Sequence, residues 1–192
     1  MNKGEKGLIQ KCKNGDKDAF RILINKYKTD AVNVAYQMIS DRQLAEDIAQ
    51  EAFIRVYKNI KNFKEDSSFF TWLYKIILNL CRDYFRQQPD EDLLSLEEPP
   101  LRNVLRRQVP DEEDAPERYL EKKELQRVIM EGLDTLSFKH RQVIILRDMQ
   151  GFTYQEIADF LEIPLGTVKS RLNTARSRLQ KYLTNSKKKQ IN

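Results

Sequence analysis

Histidine, cysteine and glycine are scarce in this sequence, and their scarcity excludes several kinds of protein. One histidine, His140, and two cysteines, Cys12 and Cys81, in 192 residues supply neither a zinc cluster nor a disulfide framework. The six glycines form no phosphate-cradling loop. No apolar run approaches the roughly 20 residues that a bilayer-spanning helix needs. The greasiest stretch is interrupted by Lys75 and Arg82. The opening MNKGEKGLIQKCKNGDKDAF is polar and charged, without the apolar core of a secretory signal, which predicts a cytoplasmic chain. Alternating strand patterns, tandem repeats and a nucleophile with a supporting cluster are missing too. The expectation is an all-α binding protein with no catalytic residues, cofactor or metal, and no small-molecule substrate.

Charge is plentiful and uneven. Residues 1–88 carry 16 Lys/Arg against 11 Asp/Glu, a net of +5. Residues 89–117 carry 3 against 10, a net of −7, and residues 118–192 carry 15 against 8, a net of +7. Two basic blocks flanking an acidic one suggest two polyanion-facing domains with a connector between them. Five of the six prolines fall from Pro89 to Pro116. Proline removes a backbone donor and disfavours helix at the residue before it. The expected organisation is therefore two small helical domains, 1–88 and 118–186, an extended acidic Pro-rich linker at 89–117, and a disordered basic tail at 187–192. Leu93, Leu94, Leu96, Leu101, Val104 and Leu105 suggest that the linker lies against something in a complex.

LAEDIAQEAFIRVYKNI, with Ser40 to Gln43 as a capping box before it, places Leu44, Ala45, Ile48, Ala49, Ala52, Phe53, Val56, Tyr57 and Ile60 on one helical stripe. Asp47, Gln50, Glu51 and Lys58 occupy the other face. Ile54 interrupts that polar face, about 165° from the centre of the stripe at roughly 100° per residue. A lone exposed Ile is ordinary, but one ringed by carboxylates also suits a basic partner helix.

FFTWLYKIILNLCRDYFR, capped by Ser67 or Ser68, puts 6 aromatics in 18 residues. On a helical wheel it sorts into a broad apolar surface and a narrow ridge of Thr71, Lys75, Asn79, Arg82 and Arg86. Asn can pair with adenine edges, while Lys and Arg fix register on phosphates. The preceding loop, NFKEDSSFF, sets Phe63, Phe69 and Phe70 beside Ser67. It could hold an unstacked base between apolar walls, with Trp72 assigned to the core.

In the C-terminal block, Ser137 is expected to cap FKHRQVIILRDM, and His140 to sit on its surface. TYQEIADFLEIPLGTVKSRLNTARSRLQKYL reads as a helix-turn-helix: a first helix opened by the Thr153–Glu156 capping box, a turn at 162–166, and a second helix starting at Thr167, whose hydroxyl can cap it. That second helix buries Val168, Leu172, Ala175 and Leu179. It carries Lys169, Arg171, Arg176, Arg178 and Lys181 with no acid between Thr167 and Leu183, as a recognition helix does. An autonomous repressor or activator and an enzyme with a DNA-binding tail remain alternatives on the residues alone. The first lacks an evident dimerising heptad, and the second lacks a catalytic constellation.

Taken together, AEDIAQEAFIRVY, FTWLYKIILNLCRDYFR and TYQEIADFLEIPLGTVKSRLNTARSRL, in that order and at that separation, closely resemble the extracytoplasmic-function sigma factors of bacterial RNA polymerase. The likeness is greatest to the sigma-W type. It implies a sigma domain 2 and a helix-turn-helix sigma domain 4. It implies contacts from Asp47, Gln50, Glu51 and Ile54 to the β′ clamp helices, and a further contact with the β flap. Phe63, Ser67, Phe69, Phe70, Thr71, Lys75, Asn79, Arg82 and Arg86 would receive the melted −10 strand. Thr167, Lys169, Ser170, Asn173 and Thr174 would lie nearest the −35 bases, of the AAC-containing type. Arg171, Arg176 and Arg178 would be phosphate contacts or structural. The resemblance also implies an anti-sigma factor, commonly membrane-bound, as regulator. Two positions depart from the family pattern: Glu162 stands where Gly or Asn is frequent, and Thr174 where Arg is.

Overall fold

The computed structural model describes residues 3–87 and 116–191, which fall into two units, each with its own core. The acidic linker lies almost wholly outside the described residues.

The N-terminal unit contains α1 (Lys3–Lys13), α2 (Lys17–Ile39), α3 (Arg42–Asn59), a 3-10 turn (Ile60–Asn62) and α4 (Phe69–Arg86). Gly15, at φ 89°, turns the chain out of α1. The Asp16 carboxylate then accepts from Ala19 N–H at 2.9 Å to cap α2. Ser40 ends α2 in the left-handed region at φ 61° and does not cap α3. That role belongs to Asp41, whose carboxylate accepts from Leu44 N–H at 3.0 Å. The chain reversal consumes Ser40, so the capping-box reading was one residue early.

Small residues let α2 and α3 pack closely. Ala31 and Ala35 are buried on α2, and Ala45, Ala49 and Ala52 on α3; without larger side chains between them, helix axes approach further. Leu23, Met38, Val56, Phe69, Leu73, Tyr74 and Ile77 fill the remaining core. Burying a large apolar side chain contributes about 1.5–3 kcal/mol. Cys12 and Cys81 are buried in this core and form no disulfide.

The C-terminal unit contains α5 (Pro116–Asp134), α6 (Phe138–Ile144) continued by a π-helical turn (Ile145–Met149), α7 (Tyr154–Leu161) and α8 (Leu165–Ile191). Helix α5 starts two residues before the expected domain boundary. Gly132 lets α8 approach it: a Cβ there would stand 2.5 Å from Leu179 Cδ1 and 3.2 Å from Tyr182 Cδ1. Leu133, Phe138, Val143, Ile145, Leu146, Ile157, Val168 and Leu172 are buried together.

Four expectations for this unit are corrected. His140 is buried, not on the surface. Its Nδ1 lies 2.8 Å from the Ser137 hydroxyl, which therefore turns away from the helix N-terminus that it was expected to cap. Helix α8 begins at Leu165, because Pro164 C=O already accepts from Thr167 N–H at 2.9 Å and Val168 N–H at 3.2 Å. Thr167 therefore lies inside the first turn and is not its cap. The C-terminal residues continue α8 as far as Ile191, in place of the disordered tail.

Candidate nucleic-acid interface

The helix-turn-helix is set by its caps. The Thr153 hydroxyl accepts from Glu156 N–H at 3.2 Å, and the Glu156 carboxylate accepts from Thr153 N–H at 2.7 Å. These bonds hold the Glu156 carboxyl below the ordinary carboxylate range. Glu162 closes α7 at φ 55°, where its N–H reaches Ala158 C=O. Only Glu162, Ile163 and Pro164 separate the two helices.

Val168, Leu172 and Ala175 hold α8 in the core, which leaves Lys169, Ser170, Asn173 and Thr174 exposed on the opposite face and Thr167 half-buried. Those residues occupy the first three turns of the helix. Arg178 is half-buried. Arg171 is half-buried too, and burial pushes its guanidinium below its ordinary value. Arg176 has a partner: Nε and Nη2 meet Asp148 Oδ2 and Oδ1 at 3.0 and 2.5 Å. A bidentate pair of this kind is geometrically selective, and it ties α8 to the residue that precedes Met149 at the end of the π-helical turn. The π-helical turn brings Asp148 to this position. Beside it, Arg147 donates to Phe152 C=O at 2.8 Å and lies 5.1 Å from the Tyr154 ring.

In the N-terminal unit the α4 ridge has the expected form. Lys75, Arg82 and Arg86 are exposed, and Thr71 and Asn79 are half-buried. Arg82 Nη2 donates to Asn79 Oδ1 at 2.9 Å, which turns the Asn79 amide nitrogen away from the guanidinium. Ser68 caps α4 by accepting from Thr71 N–H at 3.0 Å, with the two hydroxyls 2.8 Å apart.

The aromatic walls of the preceding loop are rearranged from the expectation. Phe63 and Phe69 are 5% and 0% exposed, so neither forms an open wall. Phe63 stacks on Trp72 at 5.0 Å and 26°, while Phe69 meets Trp72 edge-on at 6.0 Å. Phe69 and Phe70 both approach Tyr27, at 5.1 and 6.2 Å. Of the four residues expected to line the loop, Phe70, half-buried, and Ser67, exposed, remain accessible. Trp72 is half-buried and is the ring partner of both Phe63 and Phe69.

One loop contact has no sequence signal. Lys13, at the end of α1, reaches Glu65 at 2.8 Å across 52 positions. It holds the Glu65 carboxyl below the ordinary carboxylate range, with Lys6 adding a weaker pull.

On α3, Asp47, Gln50 and Ile54 are exposed, Ile54 at 42%. Glu51 accepts from Arg55 Nε at 2.9 Å. The four expected contact residues thus share one solvent face. Among the described residues no group of His, Cys, Asp and Glu could hold a metal ion, and no helix is long and apolar enough to cross a membrane.

Known proteins carry the same arrangement. Residues 23–89 match Sigma-70 region 2, and residues 132–181 match Sigma-70, region 4; the two units are thus those of a sigma subunit. The ECF RNA polymerase sigma factor SigW of Bacillus subtilis is 36% identical over 179 residues, covering 93% of this chain and 96% of its own. The ECF RNA polymerase sigma-E factor of Haemophilus influenzae is 31% identical over 182 residues, covering 92% of this chain and 93% of its own. CnrH, solved in complex with the cytosolic domain of CnrY, superposes with a TM-score of 0.65 at 22% identity, covering 93% of this chain and 96% of its own. The chain belongs to the extracytoplasmic-function family of RNA polymerase sigma factors. As such it is a promoter-specificity subunit and not an enzyme. It binds core polymerase, recognises −35 and −10 elements and melts the −10 region.

Proposed function

We propose that three surfaces of this chain divide that work. Asp47, Gln50, Glu51 and Ile54 on α3 dock the β′ clamp helices. Ser67, Phe70, Thr71, Lys75, Asn79, Arg82 and Arg86 take the melted −10 strand, with an unstacked base entering beside Phe70 over the Phe63–Trp72 stack. Thr167, Lys169, Ser170, Asn173 and Thr174 face the −35 bases, and Arg171 and Arg178 lie nearest the flanking phosphates. The observation that carries this reading is the division of α8: its apolar residues are buried, and its short polar and basic residues are exposed on the opposite face. Melting then follows from differential binding, because the loop and ridge engage an unpaired strand that duplex DNA cannot present.

Regulation by an anti-sigma factor belongs to the same proposal. A sigma factor RpoE from Bartonella quintana, 24% identical and with a TM-score of 0.64, was solved with the anti-sigma factor NepR. A comparable partner would hold this chain away from the nucleoid, at the membrane if the partner is anchored there. Transcription by core polymerase from candidate promoters, with and without the purified chain, tests the main reading. Specific initiation only in the presence of the chain is the expected result; no stimulation refutes the assignment of surfaces.

A further inference from the structure

The loop before α4 is held by a residue far away in sequence. Glu65 is the only residue of loop 63–68 with positive φ, at 64°. A non-glycine residue gains nothing intrinsic from that conformation, so the surroundings must select it. The Glu65 carboxylate bonds to Lys13 Nζ at 2.8 Å, with the two side chains only 28% and 18% exposed. The same ammonium lies 5.7 Å from the centre of the Phe63 ring, which stacks on Trp72. One cation therefore fixes both the foot of the loop and its strained residue, two and three positions before Ser67 and Ser68. At its other end, α1 presents Glu5 to Lys26 Nζ at 2.7 Å and to the Tyr27 hydroxyl, and the Tyr27 ring packs against Phe69 and Phe70. Helix α1 thus braces the loop directly at Glu65 and, through Tyr27, the first residues of α4 that follow it.

We infer that Lys13 and Glu65 are positioning residues for promoter melting: a latch from α1 that holds loop 63–68 in the shape that receives the unstacked −10 base. The inference rests on the proposed role of that loop. Lys13 acts through Glu65 and does not touch DNA.

The test uses reconstituted holoenzyme and a fluorescent single-stranded oligonucleotide carrying the non-template −10 sequence, with affinity read by anisotropy at several salt concentrations. Lys13→Gln and Glu65→Gln should each weaken binding by about threefold, the scale of one partly exposed ion pair. Lys13→Arg should retain binding, and the charge exchange Lys13→Glu with Glu65→Lys should recover most of it. The salt slope should stay that of wild type, because a lost phosphate contact would flatten it by about 0.7. Affinity for core polymerase and for −35 duplex should not change, which separates positioning from general destabilisation. A charge exchange that binds worse than either single variant, or a flattened slope, would mean that Lys13 contacts DNA and would overturn the latch. Wild-type affinity in both single variants overturns it as well. Phe70→Ala distinguishes the two levels of the argument. If it weakens oligonucleotide binding while Lys13→Gln does not, only the latch fails. If it has no effect, the base-receiving loop fails and the latch falls with it.

Discussion

Glu162 and His140 show how much a single side chain can depart from what its surroundings favour. Glu162 holds the turn of the helix-turn-helix at φ 55°, a conformation that costs an L-residue about 1 kcal/mol or more. Glu162→Gly should therefore raise stability by about 1 kcal/mol, less the extra entropy that glycine adds to the unfolded chain. A higher urea midpoint without loss of −35 binding is the expected outcome. His140 is disfavoured as a cation by burial first, then by Arg178, Arg171 and Lys139, so its pKa lies below the ordinary 6.5. The unfolded chain takes up a proton that the folded chain resists. The stability this group contributes is complete above about pH 6.5 and is lost as pH falls through the depressed folded value. Urea midpoints measured from pH 7.5 to 5.5 should fall in the wild type and fall less in His140→Gln. The carboxylates held below their ordinary range, Glu5, Glu65 and Glu156, lose their share only at lower pH. Glu162 was marked by its position in a turn where Gly or Asn is frequent. Nothing local marked His140, because its burial depends on which face of a seven-residue helix meets α8.

At the scale of elements, α8 separates reading from bracing. Lys169 is exposed on the outward face, whereas Arg176 is engaged by Asp148. Lys169→Ala should lower affinity for −35 duplex and reduce the magnitude of the salt slope by about 0.9, one phosphate's worth. Arg176→Gln should lower affinity with the slope unchanged, because it loosens the tie between the π-helical turn and α8. Salt titrations of duplex binding check both. Helices α3, α4, α7 and α8 were legible because each carries a long apolar stripe against a polar face. The loop between α3 and α4 was legible only in part. Its phenylalanines stood out by type, but Phe63 and Phe69 go inward, since Trp72 and Tyr27 offer flat apolar partners that no local pattern reveals. Helix α1 escaped for a related reason: its meaning lies in the contact of Lys13 with a residue 52 positions away.

For the whole molecule, two cores imply two stabilities. Gly132→Val would push a branched side chain against Leu179 and Tyr182 and should cost about 1–3 kcal/mol through overpacking. Calorimetry should show the unfolding of the C-terminal unit shifted down and that of the N-terminal unit unchanged; a matching fall in both would mean that the units unfold as one. The division into two basic blocks around an acidic segment was plain in the charges, and the two units follow it. The Phe63–Trp72 stack has a use beyond packing. Trp72 is the chain's single tryptophan, so indole emission, excited beyond the absorption of the tyrosines, comes from one residue, stacked on Phe63 at the start of the loop assigned to the −10 base. The polypeptide thus carries its own optical probe: any ligand that enters or reshapes that loop can be followed by quenching or spectral shift, without a label and without altering a residue.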